Sequence, residues 1–218
     1  MVKIDRNPIP PVSLAIEKQK AYGSYNKRDV IQQLKEDSHD KCYICELGGL
    51  SDPEVEHLRP HHNRTIWDRV FDWNNLFYAC PHCNNLKKEA RYDDKIIDCC
   101  AEDPEKKLEQ SYEEGKVSVH SLVDEECVVM TAELIQASFE KRNTGIREAA
   151  CQYRVDRLAE SMNILYKTLE KHRKNPESQR YIKSLRSSLS RKSTFAAFKR
   201  NYVRKHIKDY LDLEDFLL

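Results

Sequence analysis

The chain has 218 residues, a third of them charged, and its 37 lysines and arginines nearly balance 36 aspartates and glutamates. No apolar run reaches the length of a membrane span, the first residues carry no signal-peptide core, and the few glycines form no phosphate-cradling GxxxxGK(S/T) loop. These features exclude an integral membrane protein and a P-loop ATPase. Eight cysteines without an export signal predict a reducing, cytoplasmic setting in which thiols bind metal rather than pair as disulfides.

Residues 1–40 read as an N-terminal arm and helices. Pro8, Pro10 and Pro11 keep the first twelve residues extended. Ser13 is placed to cap a helix from Leu14 to about Tyr22, and Val30, Ile31 and Leu34 give helical spacing to Lys27–Glu36. The chemistry-bearing stretch, residues 41–95, follows. It opens on Cys42-Tyr-Ile-Cys45 and returns to Cys80-Pro-His-Cys83. Two such pairs give four thiolates for one tetrahedral Zn²⁺, a closed and therefore structural site. Between them lie Glu56-His57, on a short strand expected over Val55–Leu58, and Asn74-Asn75-Leu76 before a second strand, Leu76–Ala79. Ile66–Trp73 reads as a short helix or irregular turn. Asn84 follows Cys83 directly, on a helix expected to Arg91 that carries Lys87 and Lys88. A carboxylate and an amide oxygen are hard ligands suited to Mg²⁺ or Mn²⁺, and a neutral imidazole beside such an ion is able to take a proton from water.

Residues 96–218 complete the chain. Val117 and Val119 alternate within Lys116–Leu122, and with the apolar Cys127–Met130 they predict a small hairpin. A helical region follows: Ile146, Ala150, Tyr153, Leu158, Met162, Leu165 and Leu169 recur at helical spacing up to Pro176. Ile182, Leu185 and Leu189 mark another helix, and Phe195, Phe198, Tyr202, Ile207 and Leu211 a last one. Leu213–Leu218 is a docking tail or a frayed end. Cys99, Cys100, Cys127 and Cys151 have no ligand-like spacing and read as small buried residues. Acids dominate Asp93–Glu140, whereas only Glu177 opposes the bases of Lys171–Lys208, either a solvated face or a basic arm for a polyanion.

The order CxxC, acid-His, Asn-Leu, CxxC-Asn, Lys resembles an HNH endonuclease with zinc-bracing cysteine pairs. The resemblance implies an α+β chain: a ββα-metal finger braced by a four-cysteine zinc knuckle, with a mostly α-helical remainder. It makes His57 the general base, Glu56 the adjoining acidic metal ligand, Asn75 the brace of the loop that carries the base, and Asn84 the last metal ligand in the place of the name-giving histidine. Arg59, Lys87 and Lys88 become phosphate contacts. The expected cofactors are structural Zn²⁺ and catalytic Mg²⁺ or Mn²⁺. The opening Met1-Val-Lys-Ile-Asp-Arg, Glu56-His57-Leu-Arg59-Pro60, Trp73-Asn-Asn-Leu-Phe77 and Asp103-Pro104-Glu105 are similar to the HNH component of Septu anti-phage systems, also found with some retrons. That family implies an effector nuclease working beside an ABC/SMC-like ATPase. DNA is its first expected substrate and a structured RNA such as tRNA its second, since such fingers read mostly backbone. The competing reading is a zinc-ribbon nucleic-acid-binding or adaptor protein without activity.

Overall fold

The computed structural model describes residues 1–141 and 143–217. Two small antiparallel sheets are set among helices. The N-terminal helices are α1 (Val12–Lys18) and α2 (Arg28–Asp37). The first sheet pairs β1 (Glu54–His57) with β2 (Leu76–Ala79), and the connection between them contains the one-turn α3 (Trp67–Val70). Helix α4 (Pro81–Lys87) leaves directly from β2. A hairpin of β3 (Leu108–Glu113) and β4 (Lys116–Ser121) is followed by α5 (Glu126–Glu140), α6 (Gly145–Lys174), α7 (Gln179–Leu189) and α8 (Ala196–Lys205). No helix among the described residues is long and apolar enough to cross a membrane.

Strand β2 lies between two apolar clusters, and its alternation divides it between them. Leu76 and Tyr78 join Leu14, Val30, Leu34 and Trp73 on the side of the N-terminal helices. Phe77 and Ala79 join the larger core with Ile44, Leu86, Phe139, Leu158 and Phe198. A strand buried on both faces is apolar throughout, which is why Leu-Phe-Tyr-Ala stands out in the sequence. Helix α4 begins earlier than expected. Cys80 is its N-cap and Pro81 its first residue, where a missing N–H costs nothing, and it ends at Lys87. Helix α1 also starts early, on Pro11, and Ser13 lies inside it with its hydroxyl on Asp29 (2.6 Å).

The expected hairpin is replaced by another. Lys116–Ser121 pairs with Leu108–Glu113 around Gly115, which has φ of 78° and so takes the left-handed turn position. Cys127–Met130 belongs instead to α5, whose buried residues Val128, Ala132, Ile135 and Phe139 keep helical spacing. Helix α5 also covers the free edge of β4. Gln136 Oε1 accepts from Val119 N (2.8 Å) and its Nε2 donates to Val117 O (3.0 Å), so two of the edge's ladder groups are satisfied by one amide.

Four bases of the C-terminal segment, Arg191, Lys199, Arg200 and Arg204, are buried or half-buried in the fold. Glu105 takes Arg200 Nε and Arg204 Nη1, both at 2.8 Å, and Arg191 Nε at 3.0 Å, while Arg191 also reaches Asp103. Arg200 donates further to the carbonyls of Leu189, Phe216 and Leu217. With Leu213 fully buried, the tail is packed rather than frayed as far as Leu217; Leu218 lies outside the described residues. Burial alone would raise the Glu105 carboxyl, but the charges of Arg200 and Arg204 outweigh it and hold it below its ordinary value of 4.5. The stability this gives is therefore present above about pH 4.5 and is lost as pH falls through the lowered folded value. Glu105→Gln is expected to cost about 3–5 kcal/mol at neutral pH and to flatten the acid limb of stability, read from urea midpoints at stepped pH.

Candidate active site and metal centre

The two CxxC turns meet as their spacing requires. One Sγ from each of Cys42, Cys45, Cys80 and Cys83 lies within 4.8 Å of the others, and all four residues are buried. Cys45 Sγ and Cys80 Sγ are 3.9 Å apart, and a tetrahedron with Zn–S of about 2.3 Å has edges of about 3.8 Å. The cluster has the donors and the size for structural zinc. Its charge has a partner the sequence did not announce: Arg154, in the middle of α6, donates Nη2 to Cys80 Sγ at 2.9 Å. The Cys80 thiol is pushed down by hydrogen bonds from the other three sulfurs, with the Arg154 guanidinium adding to them. Arg154 lies on the buried stripe of α6 between Cys151 and Leu158. The expected phase of that stripe is right from Leu158 onward, but Ile146 and Tyr153 are exposed and Cys151 and Arg154 are inside.

Beyond this cluster the end of β1 presents its residues in two directions. Successive strand residues point to opposite faces. Glu54 and Glu56, opposite Ala79 and Phe77, face α4; Val55 and His57, opposite Tyr78 and Leu76, face the N-terminal helices. Helix α4 meets the first pair through Asn84 and Lys87, one turn apart on one side. Asn84 Nδ2 donates to Glu54 Oε2 (2.5 Å), and Lys87 Nζ pairs with Glu56 Oε1 (2.8 Å) and donates to the His57 carbonyl (2.9 Å). The other oxygen of Glu56 accepts from Tyr43 OH (2.5 Å).

His57 is held on its own side by rings and by a carbonyl. Tyr25 and His61 both stand edge-on to it with centroids 4.5 Å away. His57 Nε2 lies 3.1 Å from Val70 O. A carbonyl only accepts, so Nε2 carries the proton and Nδ1 keeps the lone pair. Burial pushes the imidazole down to about 4, partly opposed by the Val70 bond, so it is neutral at neutral pH.

Asn75 braces the loop after His57 with its whole amide. Oδ1 accepts from Arg59 N (2.7 Å), and Nδ2 donates to Arg59 O (2.9 Å) and to Arg69 O (3.0 Å). One side chain thus ties the loop after β1 to α3, whose last residue supplies the Val70 carbonyl. Asn75→Ala takes this partner from three half-buried backbone groups, and a loss of about 1–3 kcal/mol in chemical denaturation is expected.

Glu56, His57, Asn84, Lys87 and Lys88 line one cleft of about 380 Å³, together with Tyr25, His61 and His62. Its rim at His62, Asn63 and Arg64 has three successive left-handed residues, and Arg64 ties it to Gly23 O (2.8 Å), beside the segment bearing Tyr25. No family model matches the chain, and no curated protein matches it in sequence. What the site does is argued from its own residues.

Of the three cations expected to touch phosphate, Lys88 is exposed, Arg59 is half-buried, and Lys87 is buried and turned inward. In the basic C-terminal segment, Lys171, Arg173, Lys174, Arg180, Lys183, Arg186, Lys192, Lys205 and Lys208 stay exposed. Tyr25, Tyr43 and Glu54 are site residues that no spacing in the sequence marks. The donor set suits a hard divalent ion. An ionised carboxylate has about four lone-pair positions, and Tyr43 and Lys87 engage one at each oxygen of Glu56. Asn84 uses its nitrogen on Glu54, and its Oδ1 accepts no hydrogen bond among the described residues.

Proposed function

We propose that the chain is a metal-dependent endonuclease of the HNH type, hydrolysing phosphodiester bonds in DNA or structured RNA. The observation that carries the reading is His57: a neutral imidazole with a defined tautomer, beside hard oxygen donors in one cleft, on a strand–strand–helix unit closed by four thiols. Glu56 and Asn84 would hold Mg²⁺ or Mn²⁺, which when bound supplies charge stabilisation at the phosphate and the leaving oxygen. His57 Nδ1 takes the proton of the attacking water. The Val70 carbonyl keeps the opposite nitrogen protonated and steadies the imidazolium as it forms. Asn75 holds the loop that sets this geometry, and Lys88 and Arg59 orient the backbone of the substrate.

The Septu-like resemblance extends the proposal to an anti-phage effector acting with an ABC/SMC-like ATPase. The exposed apolar residues Ile9, Val12 and Ile16 of the N-terminal arm and α1 are the candidate contact, whereas Met1 and Val2 are buried. Co-expressed chains that separate on size exclusion at low salt would remove the partnership. For the activity itself, purified zinc-loaded protein is given DNA and tRNA with Mg²⁺ or with EDTA. Metal-dependent cleavage of either is expected. Binding without cleavage would leave a zinc-ribbon binding module.

A further inference from the structure

Lys87 is the least expected residue of the cleft. It sits on α4 beside Leu86 and Lys88, and helix geometry puts it, with Asn84, on the side that meets β1, while Lys88 points out. Its ammonium is 2.8 Å from Glu56 Oε1 and 2.9 Å from the His57 carbonyl, and both Lys87 and Glu56 side chains are 4% exposed. A lysine so deep is not placed to meet a polyanion at the surface. Its charge is balanced by the same carboxylate that would serve a divalent ion, and two cations on one carboxylate repel each other.

We infer that Lys87 is an internal competitor for the metal: its ammonium shares the Glu56 carboxylate with the divalent ion and so sets the concentration at which the site loads. This rests on the nuclease reading, because it takes Glu56 as the metal's ligand. Two consequences follow from charge alone. The carboxylate and its strand stay in place whatever the metal concentration, because Lys87 and Tyr43 hold it. The site also gains affinity for the metal when a phosphodiester enters, because the incoming negative charge offsets the crowding of cations. Metal and nucleic acid then bind with positive coupling.

The test is Mn²⁺ binding to the full zinc-loaded chain without nucleic acid, read from the paramagnetic resonance signal of free Mn²⁺. Lys87→Met is expected to tighten binding about tenfold or more. Lys87→Arg, which keeps the charge, does not reproduce the gain. Tyr43→Phe, which frees the other oxygen without changing charge, gives no comparable gain, and Lys87→Met with Glu56→Gln abolishes it. Equal or weaker binding by a folded Lys87→Met protein overturns the inference and leaves the nuclease reading standing. Absence of Mn²⁺ binding by both parent and variant at millimolar ion overturns both. Should Lys87→Met fail to fold, the parent decides. On titration with Mg²⁺ the side-chain NMR signal of Lys87 is expected to move as the ion binds, and binding with that signal unmoved refutes the competition.

Discussion

His57→Ala is expected to lower nucleic-acid cleavage by about 10²–10⁴-fold, the usual contribution of a positioned general base, while zinc content and cooperative unfolding persist. The imidazole touches Tyr25, His61 and the Val70 carbonyl but none of the four thiols, so the cysteine cluster has no reason to respond. Asn84→Ala loses activity by another route. It removes a proposed metal donor, and raised Mn²⁺ is expected to restore part of the rate, which it does not do for His57→Ala. His62, exposed on the rim, serves as a control and keeps most of the activity. His61 is different: its ring packs edge-on against His57, so His61→Ala is expected to show an intermediate loss through a less constrained base. Cleavage at the parental rate by His57→Ala, with His61→Ala inactive, would move the base to the neighbouring histidine.

Cys80→Ser is expected to have the largest effect on stability. Structural zinc contributes roughly 10–16 kcal/mol in small zinc-dependent folds, and Cys80 does more than bind. It is also the N-cap of α4, its Sγ accepting from Cys83 N, and the acceptor of Arg154. Loss of this sulfur removes a ligand, takes the thiolate from Arg154 Nη2 and loosens the helix that carries Asn84 and Lys87. The expected protein contains less than one zinc per chain and has no sharp unfolding transition, measured by elemental analysis and calorimetry. A soluble Cys80→Ser chain with full zinc and a normal transition would show that the four thiols are not the metal's ligands.

Parts of this were legible in the sequence because the physics there is local. The cysteine pairs announce a metal cluster by spacing alone. Leu76–Ala79 reads as a strand because it is buried on both faces. What was hidden depends on tertiary partners. Strand β3 escaped notice because Glu109 and Glu113 interrupt it and one of its inward residues is the polar Gln110, which meets the Met1 amino group. Cys127–Met130 is a continuous apolar run, ambiguous by itself, and only the helical spacing of Ala132, Ile135 and Phe139 beyond it decides for α5. The N-terminal half of α6 is out of phase with its apolar pattern because it carries Arg154 to Cys80, an electrostatic demand that a hydrophobic periodicity does not encode. The inward turn of Lys87 is of the same kind. A lysine next to a lysine reads as surface, and only the carboxylate across on β1 draws one of them inside.

The contact between Arg154 and Cys80 also bears on how such a chain can be inherited. Four thiolates on a divalent zinc leave two negative charges, and one of the cations facing them is supplied from a helix that follows the last cysteine of the cluster by dozens of residues. The small cysteine-braced unit is thus not electrically complete by itself. Moved by recombination onto another protein without α6, it would lose the cation that its thiolates face. The long helix and the cysteine cluster are therefore bound to change together, and a lineage that replaces Arg154 with a neutral residue is expected to have acquired another buried cation beside Cys80.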